Sequence, residues 1–243
     1  PRTRTTYGFQ GAGIEASLTF LSPHLIDDLD ILARPVTYAT LDVRSSDGAE
    51  HTAAFYYDAC AELAVNTADQ KVVWTRAAVD DLTVLSFGSK DQPVLERKGD
   101  DLRIDWGFFY LAAPRQSGLS SSIASDRESR SAFVQSGRTP ARDDLRMPRP
   151  VAEGYPVAAV SFDLGRVGAA LVSRRLMLAY DDQFSIEYFY RKLRPYWRRS
   201  GWEAADLLAA AEKDYPALVE RCRAFDDKLT SEMRASGGDK YVP

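Results

Sequence analysis

Residues 179–202 read AYDDQFSIEYFYRKLRPYWRRSGW and hold the densest set of side chains that could do chemistry. Asp181 and Asp182 end a strand-like run, and Glu187 follows. Carboxylates so placed could orient a water, take up a proton or bind an ammonium group. Arg191, Lys192, Arg194, Arg198 and Arg199 lie just beyond, and an arginine fork matches a carboxylate through two parallel hydrogen bonds. Tyr180, Phe184, Tyr188, Phe189, Tyr190, Tyr196, Trp197 and Trp202 interleave with these charges. Read as a ligand cleft, the stretch offers Asp181, Asp182 and Glu187 as acids at the rim. Tyr188, Arg194 and Trp197 are then the side chains that bind a small molecule. Read as a buried junction, the same residues do something else: the acids accept hydrogen bonds from exposed amides, and the arginines pair with a neighbouring domain across packed aromatic rings.

Other chemistries find little support. His24 and His51 are the only histidines, too few for a histidine-rich metal site, and no Cys/His spacing suits zinc. No metal or cofactor is expected. Gly11-x-Gly13-x-x-Ala16 resembles a dinucleotide fingerprint, but strand-like residues follow it rather than a helix, so it reads as a hairpin turn. P-loop, GxSxG and HExxH patterns are absent. Asp27, Asp28 and Asp30 read as a solvated turn, as do Asp80 and Asp81, and Cys60 and Cys222 read as two small buried hydrophobes. The net charge of −4 favours neither nucleic acid nor an anionic membrane. No apolar run approaches the ~18 residues of a membrane-spanning helix.

The elements that must position the 179–202 stretch are mostly strands. IEASLTF alternates apolar and polar residues with the two-residue period of a half-buried strand. VTYATLDVR and HTAAFYYDA follow, separated by SSDGAE, whose Asp47-Gly48 signals a hairpin. KVVWTRAAV, LTVLSF, DLRIDWGFFYLAA, YPVAAVSFDL and AALVSRRLMLAY continue the pattern. Lys98-Gly99-Asp100 marks another turn. So many short strands predict an antiparallel β-sandwich over residues 1–184. A serine- and proline-rich excursion over 114–156 interrupts it. That excursion contains one short helix, opened by Ser125-x-x-Glu128 and closed at Gly137.

After Tyr180 the period changes. Ser185 is placed to cap a short helix carrying Ile186, Phe189, Tyr190 and Leu193, which Pro195 stops. Ser200-x-x-Glu203 reads as a second capping box. Beyond it, Leu207, Leu208, Ala211, Tyr215, Leu218, Val219, Cys222, Phe225, Leu229 and Met233 form a helical apolar stripe that Pro216 is expected to split or kink. The stripe is roughly 45 Å long. A sandwich covers only part of such a length, so a helical partner is expected beyond Pro243. The start at Pro1 reads equally as cut from something longer, which leaves the lack of a signal peptide uninformative.

Several blocks, in order, resemble the N-terminal region of the glutaminase A family: FLSPHLIDDLDILARPVTYATLDVRSSDG, YYDACAELAVNTADQKVVW, DWGFFYLAAP and LAYDDQFSIEYFYRKLRPYWRRSGW. The resemblance runs from Phe20 to the GGDKY at Gly237–Tyr241. It implies a supersandwich-like β-domain followed by an α/α toroid of six helical hairpins, of which residues 185–243 would supply a linker helix and the opening helices. It also implies a secreted or periplasmic hydrolase that converts glutamine and water to glutamate and ammonia. The missing helical domain would then be this chain's partner and carry the chemistry. A carbohydrate-binding accessory module is the second reading, with Trp74, Trp106, Phe108 and Phe109 as candidate sugar-stacking residues, about half of them facing inward. A purely structural brace is the third.

Overall fold

The computed structural model describes residues 2–241; Pro1, Val242 and Pro243 lie outside them. Strands β1 (Arg4–Gly11), β2 (Ile14–Leu21) and β3 (Val36–Ser45) enter one sheet in sequence. They are joined there by β5 (Lys71–Val79), β6 (Leu82–Ser89), β7 (Phe108–Pro114), β9 (Arg149–Pro150) and β11 (Val172–Asp181). The strand order is β1-β2-β3-β11-β7-β6-β5-β9, antiparallel throughout. A second sheet has the order β4-β10-β8, from His51–Cys60, Pro156–Val167 and Leu119–Ser125. Helix α1 (Leu29–Leu32) follows β2, α2 (Asp126–Ser136) follows β8, and α3 (Ala204–Gly237) ends the chain.

Three layers result. The small sheet packs on the inner face of the large one around Leu41, Leu85, Phe87, Leu111, Val160 and Phe162. Helix α3 packs on the outer face, where Leu207, Leu208, Ala211, Leu218 and Cys222 meet Tyr38, Leu82, Val84 and Met177. Central strands of the large sheet are therefore covered on both faces, which is why nearly every residue of β3 and β6 is buried or half-buried, the threonines and serines included. A mainly β, sandwich-type chain with a C-terminal helix is what the strand pattern predicts.

Several local expectations need correction. Asp47-Gly48 does not close a hairpin: β3 and β4 lie in different sheets. The Asp47 carboxylate instead ties the crossing loop, accepting from Ser45 Oγ at 3.0 Å, Ala49 N at 2.9 Å and His51 Nε2 at 2.9 Å. The strand read from Asp101 begins only at Phe108. Before it, Asp105 is buried as an acceptor for Gln70 Nε2, and Gly107 turns with φ +80. The serine-rich excursion contains strand β8, whose hydroxyls pair sideways, Ser120 with Ser161 and Ser121 with Arg76. Residues 137–148 then fold back over the inner face near β5, with Trp74 Nε1 donating to Asp144 O at 2.7 Å and Arg76 paired to Asp143. The α2 caps are as read: Ser125 accepts from Glu128 N, and Gly137 is left-handed.

The helix expected from Ser185 is a β-hairpin, β12 (Ile186–Tyr188) with β13 (Arg191–Leu193). IEYFY is β-branched and aromatic, and strand pairing suits it better than helix. Pro216 does not split α3, which runs unbroken through it on the exposed side. The capping box lies three residues later than expected, with Glu203 and Asp206 capping each other's amides. Asp28 and Asp30 are not a merely solvated turn. Asp28 caps α1 and pairs with Arg221 of α3, and Asp30 pairs with Arg199. Both cysteines are free.

Candidate functional site

Strand β11 delivers Asp181 to the mouth of a cleft of about 300 Å³ between the outer sheet face and the N-terminus of α3. Its floor is apolar, made by Val79, Val84, Phe108 and Leu208, with Tyr110, Gln183, Arg198 and Glu203 around it. The chain reaches this point by a tight approach: a Cβ on Gly107 would sit 2.2 Å from Asp181 O. Gln92 holds the facing loop, accepting from Gly107 N at 2.7 Å and donating to Gly107 O at 3.1 Å. Tyr180 donates its hydroxyl to Trp106 O at 2.7 Å, and Trp106 donates to Phe184 O at 3.1 Å.

The acids do not share one role. Asp181 and Arg198 are each 2% exposed in their side chains and form a forked pair, with Arg198 Nε 3.2 Å from Oδ1 and Nη2 on Oδ2. Gln183 N adds a third donor at 2.9 Å. The remaining Arg198 nitrogen donates to Trp202 O at 3.2 Å and to Glu203. Glu203 also accepts from Arg194 at 3.1 Å, and the Arg198 bond holds its carboxyl below the usual range. Asp182 is half-buried and runs the other way. Burial raises its carboxyl above the usual range, a Ser185 hydrogen bond opposes the rise, and the Asp181 charge adds to it. Burial also pushes the Tyr110 hydroxyl up to about 12, with Asp181 contributing.

The structure gathers Asp181, Asp182 and Arg194 near one cleft and disperses the other candidates. Glu187 lies on the exposed hairpin opposite Lys192, and Tyr188 is exposed beside it. Trp197 is 3% exposed and committed mainly to the core beneath α3, with an edge lining a separate recess beside Arg34 and Trp202. Asp181 is likewise committed, since its oxygens already hold Arg198 and the Gln183 amide. Glu203 and Tyr110 are the participants that sequence reasoning missed. Glu203 was legible as a cap residue, whereas nothing in FFYLAA marks Tyr110 as facing a cleft. Of the candidate sugar-stacking residues, Trp74 and Phe109 are buried and Trp106 and Phe108 half-buried. Among the described residues no group of three or more His, Cys, Asp or Glu could hold a metal ion. No helix among them is long and apolar enough to cross a membrane.

Comparison with known proteins fits this geometry into a family. The chain is 28% identical over 236 residues to a protein named Glutaminase A from Aspergillus oryzae. The match covers 96% of this chain and 34% of that protein, so the chain spans about a third of its relative's length. The similarity bears out the resemblance carried by the quoted blocks. Among solved structures, a putative kojibiose phosphorylase from human microbiome aligns over 92% of this chain and 23% of its own, at 7% identity and a TM-score of 0.41. A family profile described as "Domain of unknown function (DUF5127)" matches residues 3–232, nearly the whole chain, and the chain therefore belongs to the DUF5127 family.

Proposed function

We propose that this chain is the non-catalytic N-terminal part of a glutaminase A-like hydrolase. In that reading the sandwich over 1–184 is an accessory domain, and the hairpin and α3 over 185–243 link it to a helical catalytic domain of the toroid type. The full protein would hydrolyse the glutamine side-chain amide, outside the cytoplasm. The similarity to the Aspergillus protein supports the reading, although it spans only a third of that protein. Amide hydrolysis needs an attacking nucleophile, a proton donor for the departing ammonia and donors for the oxyanion. In this reading the cleft beside α3 is left without a full set of the three. The observation that carries the proposal is the closed Asp181–Arg198 pair: the most active-site-like residues of the chain are spent on fastening the linker to the sandwich. Of the perturbed acids near the rim, Asp182 is raised by burial, while Glu203 is lowered by its arginine partners.

A glutamine assay tests the proposal. The chain alone should release ammonia at the background rate, while a longer natural protein carrying the following helical segment should turn over. Comparable turnover by the two would overturn it.

A further inference from the structure

The eight-stranded sheet has two margins, and they are finished differently. At one margin the edge strand β9 is two residues long and includes Pro150, and the 137–148 loop lies over the neighbouring inner face through Trp74 and Arg76. At the other margin, β1 is eight residues long, and every residue from Thr5 to Gly11 is exposed. Natural sheets blunt their free edges with proline, bulges or inward charges. Strand β1 has none of these: its register with β2 is unbroken, and its one charge, Arg4, is held by Asp226.

The inner face of this margin is also uncovered. Tyr7 lies opposite Leu18 and Phe9 opposite Ala16, and the Tyr7 ring packs edge-on against Phe20 at 6.2 Å. Ala16, Leu18 and Phe20 belong to the margin of the inter-sheet core, so Tyr7 and Phe9 continue that face outward. Three strands span about 15 Å and eight about 38 Å, and the small sheet stops short of β1. Tyr7 and Phe9 remain 53% and 57% exposed.

We propose that the β1 edge is a self-association surface that pairs antiparallel with β1 of a second copy about a two-fold axis at Gly8. The direction of its backbone groups follows from the turn. Ala12 and Gly13 both have positive φ and close Gly11 onto Ile14, the geometry of a two-residue type I′ hairpin. The pair flanking such a turn exchanges both hydrogen bonds, and bonded pairs then alternate. Thr5, Tyr7, Phe9 and Gly11 therefore face β2, while Thr6, Gly8 and Gln10 aim their N–H and C=O groups at the open side. Pairing about Gly8 sets Thr6 against Gln10 of the second copy, each exchanging bonds, and sets Tyr7 beside its Phe9 on the inner face. The strand is self-complementary in this register, with no like charges opposed. A Cβ on Gly8 would meet nothing within 4 Å, so a single copy does not require glycine there, whereas close approach at the axis favours it. A contact of one eight-residue strand pair is small beside the roughly 1,000 Å² that a stable specific interface needs, so the dimer is expected to be reversible.

Sedimentation across a micromolar to near-millimolar dilution series should show the mass rising from one copy to two. Hydrogen exchange over the same series should show protection growing at Thr6, Gly8 and Gln10, while Thr5, Tyr7 and Phe9 stay protected throughout. Thr6→Pro removes an outward backbone N–H, twice per dimer, and should weaken association about thirtyfold with the β1–β2 backbone ladder intact, while Thr6→Val, which removes only the hydroxyl bonded to Thr19, should not. Tyr7→Lys with Phe9→Lys changes side chains that are already exposed and should also favour the single copy. A monomer at every concentration, a dimer indifferent to these variants, or a dimer whose Thr6, Gly8 and Gln10 amides stay open would each overturn the proposal.

Discussion

Asp181 and Arg198 are unlike the surface ion pairs of this chain, because both side chains are 2% exposed. Removing two charges from water costs several kcal/mol, and only a well-formed fork with further donors offsets that loss. Here the fork is complete, and the Gln183 amide and Glu203 occupy the groups left over. Losing one partner leaves the other charged and buried. Arg198→Met and Asp181→Leu should each destabilise the fold by about 3–5 kcal/mol in urea unfolding. The double variant should lose far less than the sum, because no lone charge remains. Additive losses would mean that the pair does not act as a latch. This residue-scale result also bears on function: a carboxylate needed as a general base is not normally closed on three sides by permanent donors.

The β12–β13 hairpin is the element most at odds with its own sequence. Its two-residue turn is Phe189-Tyr190, and both residues have positive φ, +46 and +60. That geometry asks for Asn-Gly, and a bulky residue held left-handed costs roughly 1 kcal/mol or more. The rings are 77% and 96% exposed, so packing in this chain does not repay the strain. Phe189→Asn with Tyr190→Gly should therefore stabilise the isolated chain by about 1 kcal/mol, after allowing for the lost Tyr188–Phe189 ring contact at 4.5 Å. An unchanged or lower urea midpoint would refute this. Strained backbone of this kind clusters at functional segments, and the helical domain proposed above is the partner we propose for this tip. The same element marks the limit of legibility in the sequence. Strand alternation, the Ser125 cap and Gly137 were readable because their signals are local. The hairpin was not, since i, i+3 and i+4 coincidences in IEYFYRKL mimic a helix over so short a run. Asp47-Gly48 misled because a turn signal fixes a local bend and does not say which sheet the next strand joins.

At the scale of the whole molecule, the large sheet is held between two covers, and acidic residues fasten both. Asp144 pairs with Arg146 and Arg149 and anchors the loop over Trp74. Asp28 and Glu203 pair with Arg221 and Arg198 and anchor α3. The Arg146 bond holds the Asp144 carboxyl well below the usual range, and bonds from Arg221 and Arg198 lower those of Asp28 and Glu203. The fastening of α3 was not legible beforehand, because partners such as Asp28 and Arg221 lie far apart in sequence. A carboxyl lowered in the folded state contributes stability that is complete above its unfolded value, 3.8 for aspartate, and that is lost as pH falls through the folded value. Asp182 has the opposite sign: its raised carboxyl costs stability as pH climbs past 3.8. Asp47, Asp69 and Asp143 are lowered as well, against the one raised carboxyl of Asp182, so the urea midpoint should hold from neutral pH down to about 5 and fall below about 4. Asp144→Asn should flatten that acid limb, and Asp182→Asn should raise the midpoint at pH 7 while leaving the limb in place. Loss of the covers before the sheets would expose apolar surface, read as dye binding with strand signal retained. An acid limb of equal slope in Asp144→Asn would show that the loop clamp does not govern the opening.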